Sequence, residues 1–320
     1  MSLPGIPVTI IGGDLGCGKT TLLSVLLQGK HGLHLVTLLN DFGSTNIDSQ
    51  LIQKSQNGEV IPLANGCICR SSGEGLSQTL TELVNLSAPP EHIIIEASGI
   101  SDPCKIFQYA MSIPGLRPGG ITILADATTI RKRSFDRSAG TLVTNQMKMA
   151  DLLILNKIDL VKEEECVALR AWLQGKVPKA RFIETSHGAV PVSIILGLES
   201  TQWPQTASGL SEHAQIYHTD VYETWDYTSK EPLDGNALRT LVDSLPPGIV
   251  RAKGVLCLIE KPTRRTIFQL VGKRSSLEPG DEWGEEPRTS RLVMIGLRDK
   301  IANSQVKQML KDNLHLSIVK

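Results

Sequence analysis

Aromatic rings are scarce in this chain: Phe, Trp and Tyr together make up 4% of its 320 residues. Single-stranded nucleic acid is held largely by stacking bases on such rings, so a base-stacking platform is disfavoured at the outset. An excess of either charge is also missing, with 33 basic and 33 acidic side chains. A balanced chain has no long-range field to draw nucleic acid or an anionic membrane surface toward it. No apolar run approaches the roughly 20 residues that a membrane-spanning helix needs. The opening Met1-Ser2-Leu3-Pro4-Gly5 lacks the basic stretch of a secretory leader. The six cysteines (Cys17, Cys67, Cys69, Cys104, Cys166 and Cys257) follow no disulfide-framework spacing. Reduced thiols and a cytoplasmic location are therefore expected.

What the chain does contain is Gly13-Asp14-Leu15-Gly16-Cys17-Gly18-Lys19-Thr20, which fits G-x-x-x-x-G-K-[ST] at every fixed position. An apolar run, Val8 to Ile11, precedes it, and Leu22, Leu23, Leu26 and Leu27 follow at helical spacing. That strand–loop–helix context is the one a phosphate-binding loop requires. Glycines allow successive backbone N–H groups to converge on a phosphate at the positive end of the new helix. Lys19 adds a point charge for the β- and γ-phosphates. The Thr20 hydroxyl is suited to Mg²⁺, with Thr21 beside it in the nucleotide site.

Apolar strand-like runs then alternate with helical patterns through the first two thirds, the mark of a parallel sheet covered on both faces. Strands are expected at 34–39, 60–63, 92–96, 121–126, 152–156 and 181–184. A short helix is expected near 47–53, and another carries Leu76, Leu80, Leu83 and Leu86 on one face. Three successive isoleucines, Ile93 to Ile95, suit a strand buried on both sides and run directly into Glu96. An acid at the carboxyl end of such a strand is well placed to hold Mg²⁺ through water, or to orient an attacking water.

Leu152-Leu153-Ile154-Leu155 runs into Asn156-Lys157-Ile158-Asp159, an N-K-x-D motif. One carboxylate, that of Asp159, can accept from both guanine N1–H and the exocyclic amine. Adenine offers no such pair and would leave a buried acid unsatisfied, at a cost of about 1–3 kcal/mol or more. Asn156 is expected to brace neighbouring loops, and the Lys157 stem to lie along the base plane. Thr185-Ser186-His187-Gly188, after the next strand, is expected to add a loop against the base, with Ser186 and His187 in it.

Around 200–211 the composition turns to Thr, Gln, Pro, Ser and Gly, which reads as a linker. The expected division is a phosphate-loop domain over 1–205 and a smaller α+β domain over 206–320. In the latter a helix through Leu238, Leu241 and Leu245 precedes strands at 254–259, 266–271 and 291–296. The stretch from Glu278 to Pro287 reads as a polar connection, and a final helix holds Val306, Met309 and Leu310.

Taken in order, these blocks resemble the CobW-type GTPases, the cobalamin-synthesis and zinc-chaperone group within the SIMIBI class. The likeness extends over nearly the whole chain. It covers the phosphate loop, Asn40-Asp41-Phe42-Gly43 with Ile47-Asp48, and Asn65-Gly66-Cys67-Ile68-Cys69. It continues through Glu96-Ala97-Ser98-Gly99, Gln146, Asn156–Asp159, Arg251-Ala252-Lys253-Gly254 and Arg291–Gly296. The resemblance implies a GTPase that couples hydrolysis to delivery of a transition metal, zinc or cobalt, to a client metalloprotein. It departs from the family in having Arg70 where a third motif cysteine is usual and Asp41 where glutamate is usual. The long His-rich tract of some members is missing.

Cys67 and Cys69 can present two thiolates on one side of an extended segment. Closed zinc sites usually take four ligands, so Asp41, a histidine, Cys17, water or a client residue would have to complete the set. Arg70 opposes a dication there. Two readings remain open from the sequence: a GTPase delivering metal to a client, and a nucleotide-gated partner-binding module with slow hydrolysis and no metal cargo. Both use GTP, GDP and Mg²⁺, and both leave room for a homodimer.

Overall fold

The structure is a computed structural model describing residues 5–29, 31–39, 58–62, 74–99, 101–178, 180–197, 222–298, 306 and 308–310. The chain divides into two compact units, one of Pro4–Leu210 and one built on Ser211–Lys320.

The first unit is a seven-stranded sheet. Its strands are β1 (Ile6–Gly13), β2 (Leu35–Leu39), β3 (Gly58–Pro62), β4 (His92–Glu96), β5 (Leu116–Asp126), β6 (Leu152–Asn156) and β7 (Arg181–Glu184). They lie in the order β3-β2-β4-β1-β5-β6-β7, and every neighbouring pair is parallel. A parallel sheet needs helices on its faces, so its strands read as continuous apolar runs. All five residues of β2, of β4 and of β6 are buried. The helices include α1 (Lys19–Gln28), α2 (Glu74–Val84), α3 (Pro103–Met111), α4 (Ile130–Ser134) and α5 (Gly140–Met149). One core cluster joins Leu76, Leu80 and Leu83 of α2 to Ile93 and Ile95 of β4 and to Ile106 of α3. Leu86 does not belong to the expected apolar stripe: α2 ends at Val84 and Leu86 is 48% exposed. The Asn85 side chain donates to the Thr81 carbonyl at 2.8 Å, and Pro89-Pro90 follow. The helix expected near 47–53 lies outside the described residues.

The second unit is a five-stranded antiparallel sheet in the order β11-β10-β9-β12-β8. Its strands are β8 (Tyr222–Ser229), β9 (Ile249–Leu258), β10 (Lys261–Val271), β11 (Arg274–Glu282) and β12 (Ser290–Leu297). A helix, Gly235–Ser244, packs Leu238 and Leu241 with Leu256, Phe268 and Met294. Its first turn is capped by Asp234, whose carboxylate accepts from the N–H groups of Asn236 and Ala237. Two of these strands are not expected from the sequence. β11 covers much of the stretch read as a polar connection, and β8 lies in a segment with no strand assignment. Both are the outer strands of the sheet, half exposed along their length.

No helix among the described residues is long and apolar enough to cross a membrane.

Candidate functional site

The carboxyl ends of the parallel strands gather the polar residues that the apolar runs led into. β1 ends at Gly13, in register with Leu124 of β5, and Ile11 is in register with Glu96 of β4. Asp126 of β5 is in register with Asn156 of β6. Glu96 on one side of the loop, and Asp126 and Asn156 on the other, therefore border the turn from β1 into α1.

That turn is closed by backbone geometry only glycine tolerates. Gly13 has φ +136°, and a Cβ there would stand 2.3 Å from the Leu124 carbonyl oxygen. Gly18 has φ +104° and would meet Asn156 Nδ2 at 2.3 Å. Gly18 precedes the first residue of α1 and has no side chain to cap it, while Lys19, Thr20 and Thr21 fill the first turn without an acid. The N–H groups of that turn thus keep the partial positive charge that suits an anion. Lys19 is buried, and its ammonium donates to the carbonyls of Gly13 (3.0 Å) and Asp14 (3.1 Å). Thr20 is half-buried, Thr21 is exposed, and Leu15 stands outward at the loop tip.

Asn156 ties this loop to a second one. Its side-chain amide donates to the Cys17 carbonyl at 2.9 Å, and its Oδ1 accepts from the Gly188 N–H at 3.0 Å. Both bonds are buried, so each partner would be left unsatisfied without Asn156. After Asn156 the chain reverses through Lys157, which has φ +63°. The Lys157 ammonium donates to Asp126 Oδ2 at 2.6 Å. Asp126 is fixed in turn by the Thr128 N–H (2.9 Å) and hydroxyl (2.6 Å). Burial pushes the Asp126 carboxyl up, but the bonds from Lys157 and Thr128 outweigh it and hold it below its usual range. Asp159 follows in a single 3₁₀ turn, Ile158–Leu160, whose Ile158 N–H donates to the Thr185 carbonyl. His187, also at positive φ (+54°), brings Nε2 to 3.9 Å from Asp159 Oδ2. Ser186 is half-buried beside it, its carbonyl accepting from the Ala189 N–H.

Glu96 is buried at the end of β4. The segment after it is held by Gln146 of α5, which donates to the carbonyls of Gly99 (3.3 Å) and Ser101 (2.9 Å). A Cβ on Gly99 would lie 3.0 Å from the Leu15 nitrogen, so the Glu96–Gly99 strand end abuts the phosphate loop.

Cys17 is fully buried, and burial pushes its thiol up to about 11. Asp41, Cys67, Cys69 and Arg70 lie outside the described residues. Among the described residues no three His, Cys, Asp or Glu side chains converge as metal ligands would.

Two site residues were not singled out in the sequence. Asp126 carries the same signal as Glu96, an acid ending an apolar strand. Arg133 of α4, which pairs with Asp14 in the phosphate loop, carries no local signal at all.

A family model described as the CobW/HypB/UreG nucleotide-binding domain matches residues 7–184. A second, described as the cobalamin synthesis protein cobW C-terminal domain, matches residues 222–314. A zinc chaperone CobW of Pseudomonas aeruginosa is 28% identical over 340 residues, covering 92% of this chain and 88% of its own. A zinc-regulated GTPase metalloprotein activator 1 of Dictyostelium discoideum is 26% identical over 343 residues, covering 92% of this chain and 72% of its own. The crystal structure of Zn(II)-bound YjiA GTPase from E. coli aligns at 22% identity with a TM-score of 0.44, over 97% of this chain and 99% of that one.

Proposed function

This chain belongs to the CobW/HypB/UreG family of nucleotide-binding proteins, and on that premise we propose that it is a GTPase delivering a transition metal to a client protein. The observation that carries the nucleotide half is the pair of hydrogen bonds made by the Asn156 side chain, which joins the loop suited to phosphate with the loop suited to a base. Phosphates lie against the N–H groups of 13–20 and the Lys19 ammonium. Guanine lies between the Lys157 stem, Asp159 and the Ser186–His187 backbone. The hard oxygen donors present fit Mg²⁺: the Thr20 hydroxyl would hold it directly and the Glu96 carboxylate through water, and it would supply positive charge to the phosphates.

Glu96 acts where charge shifts during cleavage, so it should affect turnover far more than binding. Glu96→Gln is expected to slow single-turnover hydrolysis by roughly 10²-fold while GTP affinity stays nearly unchanged. A normal single-turnover rate would remove Glu96 from that role.

Metal delivery is supported by relatives named zinc chaperones and by Cys67-Ile68-Cys69, whose soft thiolates suit zinc. In sequence, Cys67–Arg70 comes after the strand Gly58–Pro62 of the sheet that carries the phosphate loop. A metal there and a nucleotide at the loop change each other's affinity by one reciprocal factor, typically about 5–150-fold. Zn²⁺ titrations of the nucleotide-free, GDP-bound and GTP-analogue-bound protein are expected to differ by such a factor. The difference should vanish in the Cys67→Ser/Cys69→Ser variant. Zinc binding no tighter than in that variant, in every nucleotide state, rules out a metal cargo.

A further inference from the structure

An acid within a phosphate-binding loop works against the loop's purpose, because its charge repels the phosphates. Asp14 is such an acid, one residue past Gly13 and five before Lys19. Its carboxylate does not face solvent alone. Arg133, near the end of the helix after β5, grips it with both Nε and Nη2, the latter at 2.9 Å. The two residues meet because β5 is the sheet neighbour of β1, which sets α4, beyond the end of β5, beside the turn from β1 into α1. A planar guanidinium taking both oxygens of one carboxylate is a geometrically specific pair, unlike a chance surface contact. The same carboxylate accepts the Leu15 N–H at 2.9 Å, and the Asp14 carbonyl accepts from Lys19. Arg133 thus reaches the main chain of the loop through a single side chain. Its hydrogen bond is the leading cause holding the Asp14 carboxyl below its ordinary value, so the acid is ionised at neutral pH.

We infer that Arg133 is a positioning residue of the nucleotide site: by pairing with Asp14 it cancels the one negative charge built into the phosphate loop, and so sets the affinity for the nucleotide's phosphates. This rests on the reading of the loop as a GTP site. Without Arg133, the Asp14 carboxylate would face the triphosphate uncompensated. The penalty should grow with phosphate charge, and should be larger for GTP than for GDP.

A charge cycle tests this. Nucleotide affinities are measured by fluorescence titration for the unaltered protein, Arg133→Gln, Asp14→Asn and the double variant, with thermal melting as a check on folding. Arg133→Gln is expected to weaken GTP by about tenfold, GDP by less, and its deficit should shrink as salt is raised. Asp14→Asn in the Arg133→Gln background should restore most of the GTP affinity, which a merely structural tie between the two segments would not do. Arg133→Lys keeps the charge and should bind GTP nearly as the unaltered protein does. The inference is overturned if Arg133→Gln binds GTP normally, if the double variant is as weak as Arg133→Gln, or if Arg133→Lys is equally weak. In each of those cases tight GTP binding by the unaltered protein would leave the GTPase reading standing, whereas failure of the unaltered protein to bind GTP would remove that reading first.

Discussion

Lys19→Ala is expected to bring GTP hydrolysis below detection while leaving a folded protein. The side chain is buried in the turn between β1 and α1 and spends its hydrogen bonds on two carbonyls of the loop, those of Gly13 and Asp14. Each such bond contributes about 0.5–1.5 kcal/mol net, so their loss lowers stability by an amount a domain of this size can absorb. The loss to turnover is of another order. A preorganised cation beside a transferring phosphoryl group is worth roughly 10²–10³-fold in rate, and ground-state affinity for the β- and γ-phosphates falls as well. Circular dichroism, a GTP titration and a single-turnover assay on the same preparation separate these effects. Hydrolysis within about tenfold of the unaltered rate would mean that Lys19 does not meet the reacting phosphate.

The strand–turn–helix conformation of this loop was legible in the sequence because its physics is local. Positive φ at Gly13 and Gly18, the buried run before them and the leucine spacing after them all fall within one short stretch. The parallel sheet was legible for a related reason. Strands buried on both faces must be apolar throughout, and Ile93-Ile94-Ile95 or Leu152–Leu155 admit few other interpretations. The two strands that escaped notice, β8 and β11, are the outer strands of the antiparallel sheet. Edge strands bury less, carry more charge and tolerate Pro279 and Gly280, so their alternation is diluted into what reads as a loop.

The site divides along the same line. Glu96, Asn156 and Asp159 announce themselves by ending apolar runs. The ion pairs around them do not. Asp126 meets Lys157 only because β5 and β6 are neighbours, and Arg133 meets Asp14 across 119 positions of sequence. Such pairs depend on strand order, which periodicity does not encode. The Cys67–Arg70 and Asn40–Gly43 segments lie outside the described residues, so their part in the site rests on sequence and on the zinc titrations.

The second large effect is expected at the base. Asp159 follows a chain reversal at Lys157 that is held by the ion pair to Asp126, and its turn is anchored by the Ile158 N–H on the Thr185 carbonyl. The carboxylate is thus carried on backbone fixed from two directions, the condition for reading two adjacent donors on a purine edge. Asp159→Asn replaces one accepting oxygen by an N–H₂ group. One of guanine's two N–H donors then loses its acceptor and faces another donor. Xanthine has a carbonyl where guanine has its amine, and it accepts what the new amide donates. Sites that match a donor–acceptor pattern discriminate by roughly 10⁴-fold, far more than sites that merely accommodate shape. The variant should therefore lose at least about 10²-fold in GTP affinity and gain in affinity for xanthosine triphosphate. The fold should be unaffected, since the side chain is near the surface and its nearest described ionic partner is His187, 3.9 Å away. Competition titrations with GTP, ATP and xanthosine triphosphate read this directly. Equal affinity of the unaltered protein for ATP and GTP, or an Asn variant that still prefers GTP, would mean that Asp159 does not contact the base.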